Sequence, residues 1–502
     1  MNDFVNRHHD NISGVLSCFD RVIINGTLPD IAYSGAMQNY LYKHDKLIFD
    51  FSDWAQSLRD RIRTFTEAFA AEQKIEIEFI RKHKAFRKEA RIQEILATRG
   101  TLPGLVHIFS AMETCSTYKP WHDKPSGHTN IKFTSGKCLH YYFYFIDEQF
   151  GLCYLRIPTW APFRLQVYFN GHSWLARQLD SNGITYQMAD NAFLDIENFS
   201  AAQRLSDKLS AKTLHRALNR WTRLYFPCLS DFPAGIHWSF MQVEYATDVV
   251  FKRQAEFQPL YDAIIREAVH SVKADQVATF LGRKLTATYS GEAGNDFSTR
   301  IQGTRIRHAM GPASIKLYDK AGIMARVECT TNDISFFKHH RTVEQRDGTD
   351  VFKLAPLRKN IYSLHDLRGL MSAANQRYLA YMASIDNPDV SRKNLDKLTR
   401  PVKDKKGRSS RGFNLFLEQD RLVFLAIIRG EWCISGFRSS WLRENLPGIT
   451  SSQCCAIIKR LRLHGLIKKI GHQYKYYLTK LGRKAVTAAL SLIENTVTPE
   501  FA

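Results

Sequence analysis

The chain has 502 residues, 44% of them hydrophobic and 12% aromatic, and 70 Lys and Arg against 49 Asp and Glu give it a formal net charge of +21. That length exceeds one ordinary core, so about two to four domains are expected, and the apolar content excludes a disordered chain. No apolar run reaches the roughly eighteen residues of a membrane span, and the polar start Met1-Asn2-Asp3-Phe4 has no signal-peptide pattern, so a soluble cytoplasmic protein is expected. The basic excess asks for a polyanionic partner, DNA first and RNA as the alternative; a membrane surface is disfavoured because no basic amphipathic helix shows a lipid face. Nine cysteines without C-x-x-C or Cys/His pairing argue against structural zinc and against a disulfide framework.

Residues 1–100 read as a mainly helical region. It contains a strand and turn at Arg21–Thr27, and two helices between Ser52 and Thr98 that flank a strand at Ile75–Ile80. A basic cluster, Arg81-Lys82-His83-Lys84 with Arg87-Lys88, fits a solvated helix face or phosphate contact equally well. Residues 101–260 predict an antiparallel sheet with helices, the strands falling at Leu105–Phe109, Lys137–Asp147, Leu152–Ile157 and Phe163–Phe169. The run from Cys138 to Asp147 is aromatic on both faces, which predicts a central covered strand rather than a base-stacking platform.

Glu113 and the segment Tyr118–Lys124, with Lys119, His122, Asp123 and Lys124, read as a loop whose composition suits binding, though a loop holding Trp121 by burial is preferred. Helices resume from Gly171 to Arg223, and His237–Val250 reads as a strand-to-helix unit. Residues 261–386 predict a second sheet region with a helical brace at Leu354–Ile385, and residues 387–412, poor in hydrophobic residues and rich in Lys and Arg, a mobile basic linker. No internal repeat is evident.

Within 261–386 lies a three-strand meander, Gly303–Gly311, Ala313–Lys320 and Met324–Thr330. Alternation sends Ser314, Lys316, Tyr318 and Lys320 to one face and Ile315, Leu317 and Asp319 to the other, unless the strand bulges at Tyr318; Arg326, Glu328 and Thr330 share a face of the next strand. A tyrosine, lysine, arginine and one or two acids thus converge on a polar sheet surface. A polar turn at Glu292, Asn295, Asp296, Thr299 and Arg300 would add an acid. The bland reading is a set of cross-strand ion pairs.

The words Lys316-Leu317-Tyr318-Asp319-Lys320 and Arg326-Val327-Glu328 resemble the paired strands of plasmid and phage rolling-circle replication initiators. The resemblance implies a replication or mobile-element role in which Tyr318 attacks a DNA phosphate, Asp319 and Glu328 hold Mg2+ or Mn2+, and Lys316, Lys320 and Arg326 neutralise the phosphate. The His-hydrophobic-His pair of another nicking class is absent, since His339 and His340 are adjacent.

Residues 413–502 read as helix (Asp420–Gly430), helix (Phe437–Asn445), helix (Thr450–His464), a basic β-ribbon about Gly471-His472 and a closing helix from Leu481. In the third helix Cys455, Ile458, Leu461 and Leu463 are expected to pack inward and Gln453, Lys459, Arg460 and Arg462 outward. Residues 401–502 hold 18 Lys and Arg against 7 Asp and Glu, about half of the chain's excess. Tyr477–Arg483 resembles the wing exit of MarR-type regulators, and the whole chain is similar to an uncharacterised family of bacterial proteins that join such a core to a winged helix. The resemblance implies an α+β multidomain protein, antiparallel-sheet core regions with helices ending in a winged helix-turn-helix. Its third helix would enter a DNA groove, with Ser452, Gln453, Lys459, Arg460 and Arg462 on it and Lys468, Lys469, Lys475, Lys480 and Arg483 at phosphates. The alternative is a non-enzymatic regulator whose core senses a ligand.

Overall fold

The computed structural model describes residues 3–81, 86–125, 127–285, 291, 293–300, 303–385, 396–414, 416–428, 432, 436–446, 448–470 and 474–492. Its first thirteen strands in chain order are β1 (Ile12–Thr27), β2 (Ile77–Phe79), β3 (Gly104–Asp123), β4 (His128–Asp147), β5 (Gly151–Pro158), β6 (Leu165–Asn170), β7 (Tyr186–Ala189), β8 (Ala192–Ile196), β9 (His237–Phe251), β10 (Ala293–Arg300), β11 (Gly303–Met310), β12 (Ala313–Lys320) and β13 (Met324–Thr331). Eleven of them form one sheet in the order β10-β11-β12-β13-β9-β1-β6-β5-β4-β3-β2. The two sheet regions expected from the sequence are therefore one. The sheet is mixed, since β2 runs parallel to β3.

Its topology repeats. After β1 come helices and then the meander β3–β6, whose last strand returns to pair antiparallel with β1; after β9 come the helices Gln254–Ser271 and Ala274–Phe280 and the meander β10–β13, whose last strand returns to β9. The halves meet where β1 pairs with β9. A strand that was expected only as a short entry at Arg21–Thr27 is thus the centre of the sheet. It escapes a sequence reading because its apolar run is broken by Asp20 and Arg21, at a bulge between Phe19 and Val22.

Alternation along the strands gives the sheet two unlike faces. Tyr141, Phe143 and Phe145 point to a face closed by the helix Ala211–Tyr225, with Phe143 stacked on Tyr225 and Phe145 against Trp221. On the same face of the other half, Leu317, Val327 and Thr247 align across β12, β13 and β9, near the helix Leu364–Ile385, whose Asn375 donates to the Tyr245 carbonyl and to the Thr247 hydroxyl. The opposite face carries Tyr142, Arg156, Gln166, Glu244, Asp248, Arg326, Glu328 and Lys316.

Several local expectations change. Residues 118–124 are not a loop: β3 and β4 continue through them as a long hairpin, leaving Trp121 43% exposed beside Lys132. His237–Phe251 is one strand, a hairpin (β7, β8) interrupts the helices after Gly171, and the helical brace starts only at Leu364, preceded by a strand at Asp350–Pro356. Residues 82–85, which hold Lys82, His83 and Lys84 of the basic cluster, and Glu292 lie outside the described residues.

The C-terminal unit has helices at Glu418–Ile427, Ser439–Glu444, Ser451–Leu463 and Lys480–Leu492, and a two-strand hairpin of Ile467–Lys469 with Tyr476–Leu478. It buries a core of its own that includes Phe424, Leu442, Ile458, Leu461 and Val486. Residues 387–395 of the expected linker lie outside the described residues. The remainder is no linker, because Leu398 and Phe413 are buried in this core and Arg460 donates to the carbonyls of Arg411 and Gly412. Among the described residues no helix is long and apolar enough to cross a membrane.

Candidate functional site

Arg326 of β13 is 0% exposed at the middle of the polar face. A buried guanidinium is tolerated only when paired and hydrogen-bonded, and here every direction is answered. Its Nε and Nη2 donate to both carboxylate oxygens of Asp248 on β9, Nη1 to Asp20 on β1, and Nη2 also to the carbonyl of Asn191 in the β7–β8 turn. Asn191 Nδ2 in turn donates to Asp20. The register puts Asp248 directly opposite Arg326, and the bulge in β1 brings Asp20 beside them.

The helix Gly171–Ser181 supplies the cover. Asn170 caps it, accepting from the backbone N–H of His172 and Ser173, and its Nδ2 donates to Asp20. Gly171 is required for close approach: a Cβ there would lie 2.0 Å from the Phe19 carbonyl oxygen. His172 is thereby lowered between the two acids, 3.3 Å from Asp20 and 3.6 Å from Asp248. Burial and the Arg326 charge work against its imidazolium, yet Cys18, Asp20 and Asp248 together raise its pKa well above the ordinary value. Burial likewise opposes the charge of Asp20 and Asp248, but His172 and Arg326 hold both below the usual carboxylate range.

Next to this centre, Glu328 accepts from Lys316 Nζ at 2.5 Å, from the Tyr318 hydroxyl at 2.7 Å and from Thr330 Oγ1 at 3.2 Å. Lys316 also lies 3.5 Å from Glu244. Burial and the nearby Glu328 charge push the Glu244 pKa up, whereas Lys316 is raised because its two acids outweigh its burial. Burial, with Glu328 second, holds the Tyr318 phenol well above its usual value. Asp20, Glu244 and Glu328 each offer a carboxylate oxygen within 4.8 Å of the others. An all-oxygen set of that kind suits a hard divalent cation, and the Lys316 ammonium already bridges two of the three acids as a counter-ion.

The arrangement corrects the expected site. Tyr318, Lys316 and Glu328 do meet, but Asp319 does not join them: it is on the opposite face, where its backbone N–H donates to Tyr261 and its carboxylate accepts from Gly322 N–H. Arg326 is sealed in the interior and cannot reach a phosphate. Lys320 is held by Asp190 at the hairpin turn. Asp319 and Glu328 therefore do not share an ion.

No family model and no curated protein matches the chain. A solved structure titled "Crystal structure of the di-domain ARO/CYC BexL from the BE-7585A biosynthetic pathway" aligns at 8% identity over 58% of this chain and 92% of that one, with a TM-score of 0.15. That likeness carries no argument, so the site is read from its own geometry.

In the C-terminal unit, Thr450 and Gln453 form a capping box at the start of the third helix. Ser452, Gln453 and Arg462 are exposed on that helix, and Lys468, Lys469 and Lys480 on the hairpin and beyond, with Lys475 half-buried. Three expected contacts are engaged otherwise. Arg460 forks onto the buried Asp420 through both terminal nitrogens and lies over the Phe413 ring at 3.8 Å, so it is an internal strut. Lys459 pairs with Asp404 and Arg483 with Asp275, both on the surface. Cys454, not Cys455, faces the core, one position off the expected phase.

Asp20, Glu244, Asp248, Asn170, His172 and Asn191 were not singled out from the sequence. A charge inside an apolar strand run, as in Cys18-Phe19-Asp20-Arg21-Val22 and Thr247-Asp248-Val249, is the signal that marks two of them, since a buried acid needs a partner. Nothing local marks His172.

Proposed function

We propose that the chain is a nucleic-acid-binding protein that engages duplex DNA through residues 413–492, acting as a winged helix-turn-helix. The observation that carries this reading is one compact unit in which a capped helix with Ser452, Gln453 and Arg462 exposed is followed by a hairpin bearing Lys468 and Lys469. Phe437, just before the second helix, bridges to Tyr476 and adds a third edge to that hairpin. Helix and ribbon together fit a groove and its flanking phosphates.

The test is affinity of the full chain for a short DNA duplex as a function of salt. Replacing Lys468, Lys469 and Lys475 by Gln should lower the slope of log K against log salt by about two to three units, one phosphate contact each. No affinity at low salt, or an unchanged slope in the triple variant, overturns the reading; stronger binding to an RNA duplex selects the alternative partner.

A second reading is metal-assisted strand cleavage at Tyr318. It is favoured by the phenol lying on Glu328 beside Asp20 and Glu244. Those three acids would hold Mg2+ or Mn2+, which supplies charge stabilisation at a phosphate. The chain's own part is to place the phenol, with Glu328 as its proton acceptor.

A further inference from the structure

At the far end of β5, where the segment 159–164 crosses the edge of the β3–β4 hairpin, the structure encloses a cavity of about 110 Å³. Its wall includes Thr114, Ser116, His140, Arg156, Trp160 and Arg164. That is room for several waters, which each need about 10–15 Å³, or for one small tetrahedral anion.

The wall is rich in donors and positively charged. Arg156 shares Glu113 with Lys88, at 3.4 and 3.7 Å, so one carboxylate serves two cations. The Arg156 Nε is buried and has no hydrogen-bond partner among the described residues. Arg164 donates to neutral groups, the Thr27 hydroxyl and the Ala32 carbonyl, and no acid among the described residues pairs with its charge. The same positive excess is felt by its neighbours. His140 is pushed down to about 4 by burial and then by Arg156, and Lys88 is lowered by burial, with Arg156 adding to the effect.

A concave site with two guanidinium groups and no acid in its lining is matched to a tetrahedral oxyanion, because arginine forks present paired N–H donors to phosphate oxygens. We propose that this cavity binds a phosphoryl group. It is on the body of the chain, built from β3, β4 and β5, and shares no residue with the C-terminal unit. It stands apart from the DNA reading and gives the large sheet a ligand of its own. The group is either a free phosphate compound or a phosphate of a nucleic-acid backbone.

The experiment titrates the full chain by calorimetry with orthophosphate, with a nucleoside monophosphate and with a short single-stranded oligonucleotide. Saturable binding of either small probe identifies a free phosphate ligand, and saturable binding of the oligonucleotide alone identifies a backbone phosphate. In each case Arg156→Lys, which keeps the charge but loses the fork, should weaken binding about tenfold. Ser116→Ala, a milder change that leaves the ion pairs intact, should weaken it severalfold. Arg164 is left in place because it also ties down Thr27 and Ala32. The triple Lys468, Lys469 and Lys475 variant should keep its phosphate affinity, so that failure of the DNA reading and failure of this one are separable. Absence of saturable binding of all three probes by the folded wild type, or binding unchanged in both Arg156→Lys and Ser116→Ala, overturns the proposal.

Discussion

Arg326 and Asp248 form a two-pronged ion pair closed off from solvent, with Nε to Oδ1 at 2.6 Å and Nη2 to Oδ2 at 2.7 Å, closing the second half of the sheet's repeat where β13 returns to β9. A pair of this kind contributes little over a well-packed apolar replacement, but removing one member strands the other charge in the interior. Arg326→Met should therefore lower stability by about 3 to 5 kcal/mol, because Asp248 then loses its main cation. Urea unfolding of the variant checks it, and a loss below the error of that measurement refutes the clamp.

Acid should weaken the fold through two buried histidines. His308 on β11 lies between Asn295 and Tyr378, and burial pushes its pKa down to about 4; His140 is likewise near 4. Below 6.5 the unfolded chain takes up protons that the folded chain refuses, so this stability is fully present above 6.5 and is lost as pH falls from there towards 4. For His308 alone the loss is of the order of 3 kcal/mol. Asp319, raised to about 6 mainly by burial, acts in the opposite sense over the lower part of the window. Melting temperature against pH should fall across this range, and His308→Gln should flatten the profile.

The aromatic strand β4 should behave as core. Phe143 is fully buried and stacked on Tyr225 at 5.0 Å, so Phe143→Ala should cost about 3 to 5 kcal/mol in thermal or urea unfolding. An unchanged midpoint would show that this face is open.

That strand also marks how much the sequence could tell. Period-two aromatics on both faces announce a strand covered on both sides, and the same alternation correctly puts Lys316, Tyr318 and Glu328 on one surface. The deeper site was not legible, because Asp20, His172, Asp248 and Arg326 come from elements far apart in the chain and meet only through sheet order. A bulge in β1 shifts Asp20 into place, and a bulge has no local signature there. The topological repeat is silent for a related reason: each half needs only strand alternation and helices, which many different residues satisfy.

The third helix of the C-terminal unit separates two kinds of basic residue. Arg460→Ala should destabilise the unit by about 3 kcal/mol, since it leaves Asp420 buried and unpaired, but should leave the salt slope of DNA binding nearly unchanged in the folded fraction. Arg462→Gln, on an exposed position, should do the reverse. Unfolding curves and salt titrations of the two variants check the division.

Tyr318 gives the sharpest test of chemistry. Its hydroxyl donates to Glu328 Oε2 at 2.7 Å, and burial followed by the Glu328 charge keeps the phenol protonated at neutral pH. To attack a phosphate it must give up that proton, for which Glu328 is the acceptor within hydrogen-bond reach, while the new oxygen–phosphorus bond forms and the bond to the neighbouring nucleotide's sugar oxygen breaks. Glu328 is itself fixed by Lys316 and Thr330, so removing the phenol leaves its position supported. Tyr318→Phe should then cost only about 1 kcal/mol of stability, the worth of one hydrogen bond, while abolishing any covalent adduct with a labelled single-stranded oligonucleotide. Glu328→Gln should lose the adduct as well, and Asp319→Asn, on the far face, should keep it. The measurement is a denaturing gel after incubation with Mg2+ or Mn2+. If the wild type forms no adduct with either ion, the cleavage reading falls and the acids around Lys316 are a charge-balanced strut at the centre of the sheet.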